Sequence, residues 1–253
     1  MSVLASAGPR LASGGSVPAI SADSYYRKVC SRKTLRAAWR VVYSNGINSD
    51  KEETRRLVKE FSIGIETHLE RIYRQLLKGK FRFPPSQGIP MPRKGKKPRP
   101  LVKSPIQTRV LQRAILEVLQ SVPALEPYYK NPTSFGGIKG KGLGVPGAVK
   151  TVNEAVEAGA KYYIRSDIDS FFTKIPRKIV LAKISGVISD HKFGCLLEKA
   201  TDVELDNLSW LGSSASLFPS YEVGVAQGCC LSPLLGNILL ESFDKQLNGR
   251  GIT

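Results

Sequence analysis

Acid is scarce in this sequence. Asp and Glu number 21 in 253 residues against 38 Lys and Arg, leaving a formal net charge of +17. Such an imbalance excludes an ordinary near-neutral enzyme surface and points to a polyanion, because each phosphate neutralised by a cation releases condensed counterions. No run of about 18 apolar residues is present, and no basic amphipathic stretch carries a broad apolar face, so a membrane partner is disfavoured and nucleic acid preferred. The four cysteines, Cys30, Cys195, Cys229 and Cys230, form no C-x-x-C pair. Neither a zinc site nor a disulfide framework follows, and the thiols read as reduced, in a cytoplasmic protein. The first 24 residues lack the basic start and continuous apolar core of a secretory signal and read as a flexible tail. There is no internal repeat, and no Asp-Asp pair occurs anywhere.

What is present has a clear order. Leu35, Trp39 and Val42 predict a helix with an Arg/Lys face from Tyr25 to about Tyr43. Ser49 or Asp50 is placed to cap a second helix, with Glu52 and Glu53 in its first turn and a stripe through Leu57, Phe61, Ile65, Leu69, Ile72 and Leu76, ending near Lys78-Gly79-Lys80. Residues 81–105 carry seven prolines around the cluster Arg93-Lys94-Gly95-Lys96-Lys97-Pro98-Arg99, which predicts a basic hairpin. A helix is expected over 106–122, stopped by Pro123. Ser134 to Gly142 is a Gly-rich basic loop without the G-K-[ST] ending of a nucleotide-triphosphate loop, followed by a helix from Val145 to Ala158. Residues 161–169 and 221–225 read as strands, 177–216 as helical segments and loops, and 231–247 as a helix after a Gln227-Gly228 turn.

Asp167 and Asp169 lie two apart, so on a regular strand they share a face. Alone, such a pair reads as surface or capping carboxylates. Hard Mg²⁺ takes carboxylate oxygens, and nucleotidyl transfer uses two such ions.

In its order of short blocks the chain resembles bacterial reverse transcriptases of the group II intron and retron type, from about residue 45 onward. The blocks are Ile89-Pro90-Met91-Pro92-Arg93 through Lys97-Pro98-Arg99-Pro100-Leu101, then Thr108 to Ala114, Ser134-Phe135-Gly136, Asp167-Ile168-Asp169-Ser170-Phe171-Phe172, and Gln227 to Ile238. The resemblance implies an α+β fold, with right-hand polymerase fingers and a partial palm (an antiparallel sheet packed with helices) and no thumb: a tail over 1–24, fingers over 25–150, partial palm over 151–253. It implies that Asp167, with the backbone carbonyl of Ile168, binds Mg²⁺, that Asp169 is more distant, and that Phe172 is a steric gate selecting deoxynucleotides. Arg99, with Lys97 and Lys103, would meet the incoming deoxynucleoside triphosphate beside Gln227 and Gly228. A wider set, Arg93, Lys94, Lys96, Arg109, Lys139 and Lys141, would hold the RNA template and DNA primer or product.

Two departures qualify the resemblance. Ala226 stands where the family has proline, and Cys229-Cys230 where it has Ser or Thr with Pro. The family's Y-x-D-D hairpin, with two further carboxylates, does not occur before Thr253, so the chain reads as catalytically incomplete unless another chain supplies that hairpin in trans. A non-catalytic RNA-binding module and a component of an antiviral-defence reverse transcriptase are the competing readings.

Overall fold

The structure is a computed structural model and describes residues 24–131, 134–137, 144–220 and 222–249. It is mostly helical with one antiparallel hairpin. In chain order the elements are α1 Ser24–Val29, α2 Arg32–Ile47, α3 Glu52–Ser62, α4 Ile65–Leu77, β1 Gln87–Arg93, β2 Lys96–Lys103, α5 Ile106–Gln120 and a 3₁₀ turn, Pro123–Leu125. Then follow α6 Glu126–Tyr129, α7 Gly144–Glu157, α8 Phe171–Lys174, α9 Arg177–Val187, α10 His191–Thr201, α11 Leu208–Leu211, a second 3₁₀ segment, Gly212–Leu217, and α12 Ser232–Gly249.

The helix expected from Tyr25 to Tyr43 is two helices. Ser31 takes an extended conformation and its hydroxyl accepts from the Thr34 amide at 3.1 Å, so α2 starts afresh there. The stripe expected from Ser49 or Asp50 to Lys78 is also two helices, divided at Gly64 in the left-handed region (φ 69°), and neither Ser49 nor Asp50 caps: Lys51 occupies that position without a side-chain bond. Apolar periodicity continues across both breaks, which is why pattern alone joined them. The expected end is observed. Gly79, at φ 62°, and Lys80 return their amides to Leu76 and Gln75 carbonyls at 2.8 Å, closing α4.

α5 is the axis of the molecule. Val110, Leu111, Ala114, Ile115 and Leu119 are fully buried, and the same core takes in Leu35 of α2, Leu76 of α4, Phe193 and Leu197 of α10 and Ile238 of α12. A helix buried on nearly every side derives its stability from packing more than propensity. The approach of α2 to α3 is set by Gly46, where an added Cβ would stand 2.4 Å from Val58 Cγ1.

The basic hairpin forms as expected. Gln87 pairs with Lys103, Ile89 with Leu101 and Met91 with Arg99, around a turn at Gly95 with φ 66°. It is fastened by the segment before α11: the Asn207 amide accepts from Gly88 N and donates to Gly88 O, both at 2.8 Å, and Ser86 exchanges backbone bonds with Glu204 and Asp206. A small second core of Val102, Leu211, Phe218 and Ala226 lies beneath it.

Two expected strands do not form. Residues 161–168 have no strand partner among the described residues and are exposed, with Tyr162, Tyr163 and Ile164 at 90% exposure or more; β-propensity acts only against a neighbouring strand. Of 221–225, Tyr221 lies outside the described residues and the rest contributes one bridge, Pro176 with Val223. Among the described residues the sheet content is therefore one two-stranded antiparallel hairpin. The tail expected over residues 1–24 lies outside the described residues, except that Ser24 begins α1.

Candidate functional site

The sequence blocks that are far apart in the chain meet around the base of the hairpin. The Val102 amide donates to the Gln227 carbonyl at 2.9 Å, and Leu101 bridges Gln227, so the Gln-Gly turn runs beside the strand that carries Arg99. Gly228 sits at φ 109° with the Val102 carbonyl 3.2 Å from where a Cβ would be, a conformation and spacing that favour glycine. The Val225 amide donates to the Phe172 carbonyl at 2.7 Å. Gly236 of α12 lets the Phe171 ring approach to 2.9 Å of its notional Cβ, and Gly137 of the Gly-rich loop lies over Pro233, which leaves no room for a side chain. Asn237 Nδ2 donates to the Tyr128 carbonyl at 3.0 Å.

The two departures in the turn have structural roles. Ala226 is buried in the small core, and the Ser232 hydroxyl donates to its carbonyl at 2.7 Å. Cys229 and Cys230 are free thiols, half-buried; Cys229 Sγ accepts from the Leu231 amide at 3.4 Å. Hydrogen bonding to Cys229, followed by burial, pushes the Cys230 thiol upward.

Between α2, α5, the Gln-Gly turn and the start of α12 lies a cavity of about 990 Å³, whose polar lining includes Arg109, Gln112, Arg113, Lys130 and Asn131. Arg109 is held by Nε donation to the Ser104 carbonyl at 2.8 Å, and burial lowers its pKa. Arg113 pairs with Glu117 at 3.2 Å. This cationic concavity can take anionic and polar groups.

The expected site residues lie in several different settings. Arg99, Lys94, Lys96 and Lys97 are exposed on the hairpin, and the Arg99 guanidinium makes no hydrogen bond or ion pair among the described residues; Arg93 donates from Nε to the Lys97 carbonyl at 3.0 Å. Lys103, by contrast, is committed to Glu53 at 2.6 Å. Phe172 is half-buried, edge-on to Phe171 with ring centroids 5.2 Å apart. Lys139 and Lys141 lie outside the described residues.

Asp167 and Ile168 are exposed on the unpaired segment. Asp169 is held by Lys174 at 3.0 Å and by the Ser170 hydroxyl at 3.1 Å. Lys174 first, then Ser170, keep its carboxyl below the ordinary range. Ser170 has φ 55°, the only non-glycine in the left-handed region among the described residues. Strain of this kind is concentrated at functional turns. No group of three or more His, Cys, Asp or Glu among the described residues comes together to hold a metal ion. Asp167 alone does not fit a magnesium site.

Three polar arrangements were not anticipated. Buried Asp190 accepts from the Tyr25, Tyr26 and Phe193 amides at 3.1, 2.8 and 3.0 Å, so one carboxylate caps both α1 and α10. Buried Arg177 donates to the Thr201 carbonyl at 3.0 Å and pairs with Asp202 at 3.1 Å. His191 and Cys195 meet at 3.8 Å on α10; their four-residue spacing was legible, whereas the partners of Asp190 and Arg177 lie too far along the chain to read.

No protein-family model matches the chain. It is 29% identical over 182 residues to Protein YkfC of Escherichia coli (strain K12), covering 70% of this chain and 44% of that protein. It is 26% identical over 208 residues to the group II intron-encoded protein LtrA of Lactococcus lactis subsp. cremoris, covering 81% of this chain and 32% of LtrA. The chain thus spans less than half the length of these relatives. Among solved structures, a partial Cas6-RT-Cas1--Cas2 complex aligns with 88% of this chain and 35% of that chain at 21% identity, with a TM-score of 0.49. In sequence the chain is thus similar to a bacterial group II intron-encoded protein. No helix among the described residues is long and apolar enough to cross a membrane.

Proposed function

We propose that this chain supplies the fingers, over 25–150, and the first part of the palm, over 151–253, of an RNA-directed DNA polymerase of group II intron or retron type. The observation that carries the reading is the Gln227 carbonyl bonded to the Val102 amide at 2.9 Å, which sets the Gln-Gly turn beside the Arg99 strand although 125 residues separate the bonded pair (227 − 102). An incoming deoxynucleoside triphosphate would meet the free guanidinium of Arg99, with Lys97 nearby, at the turn where Gly228 permits close approach. Arg93, Lys94, Lys96 and Arg109 would hold template and primer phosphates. Phe172, packed on Phe171, is the candidate sugar gate. Asp167 alone does not hold magnesium, and a site for the ion would need carboxylates that a second chain supplies in trans.

A second reading, an RNA-binding module without catalysis, draws on one observation, the lack of a three-carboxylate group among the described residues. A primer annealed to RNA separates the two. The polymerase reading expects a complementary deoxynucleotide to tighten binding, with the gain lost in Arg99→Ala. Binding that is salt-sensitive and indifferent to nucleotide, in wild type and Arg99→Ala alike, would sink it and favour the module.

A further inference from the structure

A second basic concavity lies away from the hairpin, between α4, the chain leading into β1, and the start of α5. Its volume is about 240 Å³; Phe61 and Ile72 line its apolar part, and His68, Arg71, Gln75, Lys80, Arg82 and Gln107 its polar part. No Asp or Glu lines it. Charge segregation on α4 is the cause. Its two acids are turned toward arginines, Glu66 to Arg36 at 2.5 Å and Glu70 to Arg32 and Arg74 at 2.8 Å, which leaves the His68, Arg71 and Gln75 face free of negative charge.

The cavity groups are set for an anion. The His68 ring is stacked on Phe61 with centroids 4.5 Å apart, and Arg71 Nη2 lies 3.0 Å from its Nδ1. Since a guanidinium only donates, Nδ1 is the acceptor and the neutral ring carries its proton on Nε2, a further donor. The side chains of Lys80 and Arg82 have no hydrogen bond or ion pair among the described residues. They are not needed as helix caps either, because the Gly79 and Lys80 amides already close α4. At the Gln107 edge, the 15-residue helix α5 begins after Pro105 with neither a side-chain cap nor an acid in its first turn, so its positive end adds to the same potential.

We propose that this concavity binds a phosphate group. Its volume of about 240 Å³ accommodates a phosphate together with waters. Guanidinium and ammonium donors at its rim suit a tetrahedral oxyanion. The phosphate is either free or part of a nucleic-acid strand, and this inference stands independently of the polymerase reading.

The test titrates the full chain with inorganic phosphate, and separately with a short 5′-phosphorylated ribo-oligonucleotide, in low-salt buffer. Lys80→Gln/Arg82→Gln is compared with Lys59→Gln, a lysine on α3 outside the cavity, and far-UV circular dichroism verifies folding. The expected result is a loss of about tenfold in affinity for at least one ligand in the double variant, against less than twofold for Lys59→Gln; Arg71→Gln reproduces the direction. A loss with inorganic phosphate identifies free phosphate as sufficient, and a loss only with the oligonucleotide identifies a strand phosphate. Equal effects of the double variant and Lys59→Gln on both ligands, or no effect on either, would overturn the proposal.

Discussion

Replacing Asp190 with alanine tests how the two ends of the fold are joined. The side chain is 3% exposed and accepts three backbone amides, two at the start of α1 and one in the first turn of α10. Loss of an N-cap costs about 1 kcal/mol, and each buried donor left without a partner costs about 1–3 kcal/mol. Taking one cap and two orphaned donors near the low end of that range, because water reaches the half-buried Tyr26, the expected loss is about 3–4 kcal/mol. This is a large share of the 5–15 kcal/mol typical of a domain and corresponds to a melting temperature lower by about 10 °C. Asp190→Asn keeps one acceptor but turns an amide group toward other donors, so its loss falls between wild type and alanine. Urea unfolding followed by circular dichroism gives the free energies, and hydrogen exchange at Tyr25, Tyr26 and Phe193 localises them. An alanine variant within about 1 kcal/mol of wild type, with unaltered exchange at these amides, would refute the double-cap reasoning.

Gly46→Ala places a methyl 2.4 Å from Val58 Cγ1 and is expected to cost about 1–3 kcal/mol; Val58→Ala in the same chain relieves it, and strictly additive losses in the double-mutant cycle would contradict this. Arg32 and then Arg74 hold Glu70 at about 2, below its ordinary 4.5. The folded pKa being the lower, its contribution is present above pH 4.5 and lost as pH falls toward 2, so urea midpoints of wild type and Glu70→Gln differ at neutral pH and converge in that window. Burial pushes the Cys30 thiol up to about 11, leaving it protonated at pH 8; a thiol reagent then modifies it only after unfolding, and native-state labelling of Cys30 as fast as Cys195 would count against this.

Much of the fold was legible where local chemistry decides it. The α5 span, the turn at Gly95 and the end of α4 at Gly79 follow from periodicity and from glycine in the left-handed region. The helix breaks at Ser31 and Gly64 were hidden because apolar spacing runs through them, and the strand at 161–169 was overcalled because aromatic and β-branched content reports readiness to pair and says nothing of whether a neighbour is present. At the candidate site the family resemblance singled out Gln227 and Gly228, which the structure brings to β2. The commitment of Lys103 to Glu53 needed the tertiary structure, since α3 and β2 come together only when the helices pack.

The double cap at Asp190 also bears on the order in which the protein is made. Its two clients on α1 lie 165 and 164 residues before it, so at about 5–20 residues per second the acceptor leaves the ribosome about 10–30 s after the helix it secures. A six-residue helix does not persist alone in that interval. The first helix among the described residues is therefore completed late, and α1 stays open to chaperones and proteases until α10 has been synthesised.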